Sequence, residues 1–146
     1  MVVSNQVLGV NWRLQELLQS DLTESAIENL RQYFLLIIQF NKKINLISKQ
    51  VVKDADITQI YDCVLGAKMI LPATQSETIY DIGSGNGLPG IVMAIMAPER
   101  QFKLVDVDER KMEFLKTVVS RLKLKNVIIV RDQFENQRNI QCAVSR

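Results

Sequence analysis

The spacing of apolar residues divides the chain into two unlike halves. In the first half the spacing is helical. Val10, Leu14, Leu17 and Leu18 fall at i, i+4, i+7 and i+8, an amphipathic stripe that predicts a first helix. Asp21 and Thr23 are candidate caps for a second helix, and Glu24 places an acid in its first turn, where the helix dipole favours one. Ile27, Leu30, Phe34, Ile37 and Ile38 extend that helix along one face. Residues 41–48 read as a connection, and a third helix is predicted over 57–70, ending before Pro72.

Beyond residue 77 the pattern shortens. Thr78 to Ile82 is an apolar run stopped by glycines, which predicts a buried strand. Pro89 suits the first turn of a helix that continues over 91–96. Residues 102–107 read as a second strand. Asp108 can cap the next helix, in which Met112, Leu115, Val119 and Leu122 keep helical spacing. Residues 127–130 read as a third strand, and a fourth begins over 142–145. Alternating strands and helices predict a parallel sheet with crossover helices, an α/β fold of the Rossmann-like kind. At 146 residues the expectation is one domain, with a helical segment over 1–72 and a Rossmann-like core over 73–146.

Composition narrows the chemistry. Apolar residues make up 47% and charged residues 23%, the balance of a soluble globular chain. The formal net charge of +2 does not by itself point to nucleic acid. The local basic excess lies in Lys116, Arg121, Lys123 and Lys125. Cys63 and Cys142 have no metal-ligand spacing, so the expectation is no metal, no disulfide framework and reduced thiols in a cytoplasmic protein, with Cys142 in the core. The chain has no histidine, which removes Ser-His and Cys-His nucleophilic machinery. No apolar run reaches membrane-spanning length, and there is no internal repeat or secretory signal pattern, so no membrane association is expected.

The candidate chemistry lies in Asp81-Ile-Gly-Ser-Gly-Asn-Gly-Leu-Pro-Gly90. A glycine-rich turn between a first strand and a helix is where open parallel sheets bind nucleotides. Gly83, Gly85 and Gly87 let the backbone turn tightly and approach a ligand. Gly85 to Gly90 matches the dinucleotide pattern G-x-G-x-x-G, but an extra glycine precedes it and Asp81 stands in the strand. A pyrophosphate disfavours that carboxylate, whereas a cofactor carrying an amino group and a sulfonium is compatible with it. Asp81 could equally be a structural acid holding loop amides. Asp106 ends the second strand, where a carboxylate accepts hydrogen bonds from the ribose of an adenosine. The pattern favours S-adenosylmethionine, with NAD as the rival.

The segment from Asp81 to Ile91 resembles the RsmG (GidB) family of bacterial 16S ribosomal RNA guanine-N7 methyltransferases, whose pattern is D-x-G-(S/T)-G-x-G-x-P-G. Asn41-Lys-Lys-Ile-Asn45-Leu46 is similar to the family segment N-x-x-x-N-L. Lys111-Met-Glu-Phe114-Leu115, following Asp106, resembles its second-helix motif, and Val144-Ser145-Arg146 its V-S-R-A segment. The resemblance implies a class I methyltransferase core with an incomplete sheet, S-adenosylmethionine as cofactor, and 16S ribosomal RNA or the small ribosomal subunit as partner. It implies that Gly83 and Leu88 contact the cofactor, that Asp106 and Asp108 hold its ribose side, that Phe134 and Glu135 border its adenine, and that Arg146 stands at the cofactor and RNA site. Gln59-Ile-Tyr-Asp62-Cys63 departs from the family's His-x-x-Asp-Ser, keeping the acid and losing the histidine. Family members continue through further strands, so a chain ending at Arg146 is expected to present an open sheet edge.

Methylation of guanine N7 asks little of side chains. N7 has a free lone pair and no proton to remove, so catalysis reduces to alignment and no catalytic acid or base is expected, Arg146 being the one candidate. Arg110, Lys111, Arg146 and the Lys116 to Lys125 cluster could position phosphates, or the cluster could be an ordinary solvated helix face. Two other readings stay open: an NAD-linked oxidoreductase, and a cofactor-binding remnant without activity.

Overall fold

In a computed structural model the protein is described over residues 9–146. Twelve elements follow one another among the described residues, and the first eight residues of the expected helical segment lie outside them. Helix α1 (Leu14–Leu18) and helix α2 (Glu24–Asn41) are followed by a 3-10 turn (Val52–Asp54) and a π-helical turn (Asp56–Tyr61) that leads directly into α3 (Asp62–Ala73). The second half runs β1 (Thr78–Ile82), α4 (Gly90–Met96), β2 (Gln101–Asp106), α5 (Glu109–Leu122), β3 (Val127–Arg131), a 3-10 turn (Phe134–Asn136) and β4 (Ala143–Val144).

The caps explain where the long helices begin. Thr23 Oγ1 accepts from the Ala26 amide at 3.2 Å and starts α2. Asp21, the other candidate, instead pairs with Lys68 of α3. Asp108 Oδ1 accepts from the amides of Arg110 and Lys111 at 3.0 and 3.2 Å and starts α5. The stripe on α1 is narrower than its spacing suggests. Leu14 and Leu18 are buried, but Leu17 is 48% exposed, because a helix of five residues turns only two of its leucines inward. Pro72 lies inside α3 rather than beyond it. A proline in the last turn forfeits one hydrogen bond where the helix is ending anyway, so the helix closes after it. Cys142 is half-buried against the core rather than within it.

The four strands are parallel and lie in the order β3-β2-β1-β4. This is the Rossmann-like α/β arrangement expected from the alternation. The chain steps outward from β1 to β3, then returns to the far side of β1, so the order reverses at the carboxyl end of β1. Ile79 and Asp81 of β1 stand in register with Phe102 and Leu104 of β2, and all four are buried. Two of the largest core side chains, Tyr33 and Phe34, come from α2, and one continuous apolar cluster links α1, α2, α4 and α5 with the sheet. The helical half therefore packs on the sheet and reaches its carboxyl end.

One buried charge ties the first helix down. Asp56 is fully buried and accepts from the Arg13 amide at 2.9 Å, from Arg13 Nε at 3.1 Å and from Arg13 Nη2 at 2.5 Å. Burial pushes the Asp56 carboxyl up, but the Arg13 guanidinium and amide outweigh it and leave it below the usual carboxylate range.

Candidate functional site

The turn between β1 and α4 is shaped by three glycines with positive φ, Gly83 at +67°, Gly85 at +53° and Gly87 at +90°. The amides of Gly83 and Ser84 both donate to the Val105 carbonyl, at 2.9 and 3.1 Å, which pins the turn to β2. Gly87 is required by space as well as by φ. A Cβ there would fall 2.7 Å from Ile91 Cγ1, 2.7 Å from Leu115 Cδ2 and 2.9 Å from the Tyr33 hydroxyl.

Asp81 sits behind this turn. It is buried, and its Oδ2 accepts from the Gly90 amide at the start of α4 at 2.9 Å. A Cβ at Gly90 would lie 2.5 Å from that oxygen, so helix and acid can approach this closely only with glycine. Asp81 Oδ1 is buried with no partner among the described residues, and so is Ser84 Oγ nearby in the turn. Burial, with a smaller contribution from the Asp106 charge and against the Gly90 hydrogen bond, pushes the Asp81 carboxyl up to about 7. A buried acceptor left without a donor is costly, and such groups mark strain or a missing partner.

Asp106 joins the two strand ends. Its Oδ2 accepts from the Gly85 amide at 2.7 Å, and its Oδ1 from the amides of Val107 and Asp108 at 2.7 and 3.0 Å. An ionised carboxylate offers about four acceptor positions, so one remains on Oδ2. Beside it opens a cleft of about 450 Å³ lined by Gly83, Asp106, Val107, Asp132, Phe134 and Glu135, among others. Phe134 is 48% exposed and does not serve as a core residue. Asp132 shapes that wall, since its carboxylate accepts from the Gln133 amide and from Asn136 Nδ2 at 2.7 and 2.6 Å. A larger cleft of about 680 Å³ lies around Glu77, Thr78 and Lys103, where β1 begins. Ligands of open parallel sheets bind at the carboxyl ends, so the smaller cleft is the candidate site.

Four of the expected residues, Gly83, Asp106, Phe134 and Glu135, thus meet at one cleft. Gly85 and Gly87 build the turn beside it, and Leu88 is buried in the core. Asp108 caps α5 through one oxygen. Arg146 stands on the opposite side of β1. Its guanidinium donates to the carbonyls of Thr58 and Gln59 at 3.0 and 3.3 Å and to Cys63 Sγ at 3.1 Å, and pairs with Asp62 at 3.2 Å. At the position of the family histidine, Gln59 therefore contributes its main-chain carbonyl. Burial pushes the Cys63 thiol up, and the adjacent guanidinium partly offsets this.

Residues of the helical half that carry no obvious chemistry hold the turn in place. Asn41 Oδ1 accepts from the Leu46 and Ile47 amides at 2.8 and 3.0 Å. Asn86 Nδ2 donates to the Leu46 carbonyl at 3.0 Å, and Tyr33 donates to the Asn86 carbonyl at 2.6 Å. The N-x-x-x-N-L segment marks the first of these contacts in the sequence. Nothing marks Tyr33, which looks like any helix residue on an apolar face.

A parallel sheet whose strand order reverses beside a glycine turn, with an acid behind the turn and another at the next strand end, is the kind of arrangement at which open α/β sheets bind nucleotides. The family model for rRNA small subunit methyltransferase G, GidB, matches residues 26–146, and the chain belongs to this family. It is 38% identical over 121 residues to Ribosomal RNA small subunit methyltransferase G 3 of Bdellovibrio bacteriovorus, an alignment covering 82% of this chain and 54% of that protein. It is 36% identical over 126 residues to Ribosomal RNA small subunit methyltransferase G of Dichelobacter nodosus, covering 84% and 58%. A third relative of the same name, from Chlorobium limicola, is 35% identical over 120 residues, covering 82% and 54%. The chain spans somewhat more than half the length of these relatives. Among the described residues no group of three or more acids and cysteines could hold a metal ion, and no helix is long and apolar enough to cross a membrane.

Proposed function

We propose that this chain is the cofactor-binding part of an enzyme that uses S-adenosylmethionine to methylate guanine N7 of 16S ribosomal RNA. The observation that carries the reading is Asp81 Oδ1, a buried acceptor without a donor among the described residues, directly behind a glycine turn that borders an open cleft. Its chemistry suits an ammonium group. Ser84 Oγ offers a second acceptor, and the remaining lone pair on Asp106 Oδ2 suits one ribose hydroxyl. The Phe134 ring and Glu135 give the cleft a wall with a flat apolar face and an acceptor, as an adenine requires. In this reading residues 73–146 form the cofactor-binding core and the preceding helical segment braces it.

The bound cofactor supplies an electrophilic methyl group with a thioether leaving group. The chain's task is placement. The Tyr33 and Asn86 contacts fix the turn, and Asp81 and Asp106 fix its two ends. No side chain has to move a proton, because N7 carries none, and the lack of histidine fits that economy. Phosphate contacts would have to come from cations near the turn. Arg121, Lys123 and Lys125 are poorly placed, since α5 begins at the carboxyl end of β2 and its length carries them about 20 Å away.

The test is transfer of a labelled methyl group from S-adenosylmethionine to small-subunit ribosomal RNA, with the modified base located by N7-methylguanine-specific strand cleavage. Label in a guanine cleaved in this way supports the reading, and label confined to other positions contradicts the N7 assignment.

A further inference from the structure

The loop that docks on the glycine turn carries four lysines and no acid. From residue 42 to 53 the chain reads Lys-Lys-Ile-Asn-Leu-Ile-Ser-Lys-Gln-Val-Val-Lys. Lys42, Lys43, Lys49 and Lys53 are all exposed, and none forms an ion pair with a described residue. The nearest acids in sequence, Asp54 and Asp56, are both held by Arg13 Nη2, at 3.0 and 2.5 Å. The apolar residues between the lysines face the other way, with Leu46 and Ile47 buried.

The loop is also rigidly placed. Asn41 Oδ1 gathers the Leu46 and Ile47 amides, and the Leu46 carbonyl accepts from Asn86 in the turn at 3.0 Å. Lys43 and Lys49 each lie three residues from Leu46, so their Cα atoms are within about 11 Å of that anchor. Four unneutralised ammonium groups on a backbone that needs no ordering suit a chain of phosphates. The cations of α5 differ from this. Lys116 pairs with Glu113 at 2.5 Å, Arg110 and Lys111 stand in the first turn of the helix, and Arg121, Lys123 and Lys125 lie at or beyond its far end.

We propose that Lys42, Lys43, Lys49 and Lys53 form the face that grips the phosphate backbone of a single-stranded or looped RNA and brings it to the glycine turn. The proposal rests on the RNA methyltransferase reading and names the surface it requires. Phosphate contacts give affinity and orientation rather than sequence choice. Each phosphate neutralised by a lysine steepens the dependence of log affinity on log salt by about 0.7 for a single strand.

The experiment measures binding of a fluorescein-labelled small-subunit ribosomal RNA stem–loop by anisotropy across a salt series. It compares the intact chain, the loop variant Lys42→Gln/Lys43→Gln/Lys49→Gln/Lys53→Gln, and the control Arg121→Gln/Lys123→Gln/Lys125→Gln. The loop variant is expected to bind on the order of 100-fold more weakly at about 0.1 M salt, with a salt slope shallower by about 3. Its circular dichroism and its affinity for S-adenosylmethionine stay as in the intact chain, and the control keeps its RNA affinity. An unchanged RNA affinity and slope in the loop variant would overturn the inference and leave the enzymatic reading standing, as would an equal loss in the control. An intact chain that binds phosphatidylserine vesicles but no RNA would overturn both.

Discussion

The Tyr33 phenol, in the middle of α2, donates to the main-chain carbonyl of Asn86 at 2.6 Å, across 53 residues of chain. Burial holds that phenol far above its ordinary pKa, so it remains a donor at any working pH. A helix in the first half of the chain thereby fixes the apex of a turn in the second. The contact ties down a turn in which four residues have little or no side chain to anchor it.

Tyr33→Phe removes this one hydrogen bond and keeps the ring. The loss leaves a carbonyl unsatisfied and should cost about 1–2 kcal/mol in urea unfolding. S-adenosylmethionine should bind several-fold more weakly because the turn loosens. A variant with reduced stability and full affinity would show that Tyr33 only packs.

Two glycines in the same turn should behave in opposite ways. Gly87→Ala forces a Cβ to within 2.7 Å of Ile91 and Leu115, and should cost about 3 kcal/mol or more, read as a lower midpoint of thermal unfolding. At Gly83 a Cβ would meet no atom within 4 Å, so Gly83→Ala should cost only about 1 kcal/mol of backbone strain. Its effect should fall on the ligand instead, with S-adenosylmethionine affinity lowered about 10-fold or more while the fold persists.

Much of this frame is legible in the sequence because it rests on local rules. Thr78 to Ile82 is a strand since its apolar run stops at glycines, and Thr23 and Asp108 cap helices since each bonds amides two or three residues on. Asp56 is different. Its burial depends on Arg13, 43 residues earlier, and no spacing rule connects the two. The same holds for Tyr33 with Asn86. The helical spacing that marks Leu14 and Leu18 also marks Leu17, and only packing reveals that it faces solvent. The cleft residues Gly83, Asp106, Phe134 and Glu135 were legible through the motif and the family pattern. The lysine loop was not, because the acids that balance its charge in composition are taken up by Arg13.

Asp81 should make stability fall with rising pH. Its folded carboxyl keeps a proton to about pH 7, whereas the unfolded group releases it near 3.8. Folding therefore takes up a proton between these values. The destabilising effect is absent below the unfolded value and complete above about pH 7. The full effect is on the order of 4 kcal/mol. Asp81→Asn keeps an oxygen for the Gly90 amide and removes the charge. Urea unfolding should show the variant more stable than the parent at about pH 8, with the gap closing towards about pH 4, and a gap independent of pH would contradict the assignment.

Arg13→Ala strands the buried Asp56 charge and should lower stability. Adding Asp56→Asn removes that charge and should restore part of the loss. Denaturant midpoints of the single and double variants check this, and a double variant less stable than Arg13→Ala would show that the charge was not the problem.

The central claim is that the site at the carboxyl ends of β1 and β2 accepts S-adenosylmethionine. Isothermal titration calorimetry of the intact chain with S-adenosylmethionine and with NAD tests it most directly. The account predicts one site for S-adenosylmethionine, weakened about 10-fold or more by Gly83→Ala, and no measurable heat with NAD. Tight binding of NAD with no response to S-adenosylmethionine would contradict it.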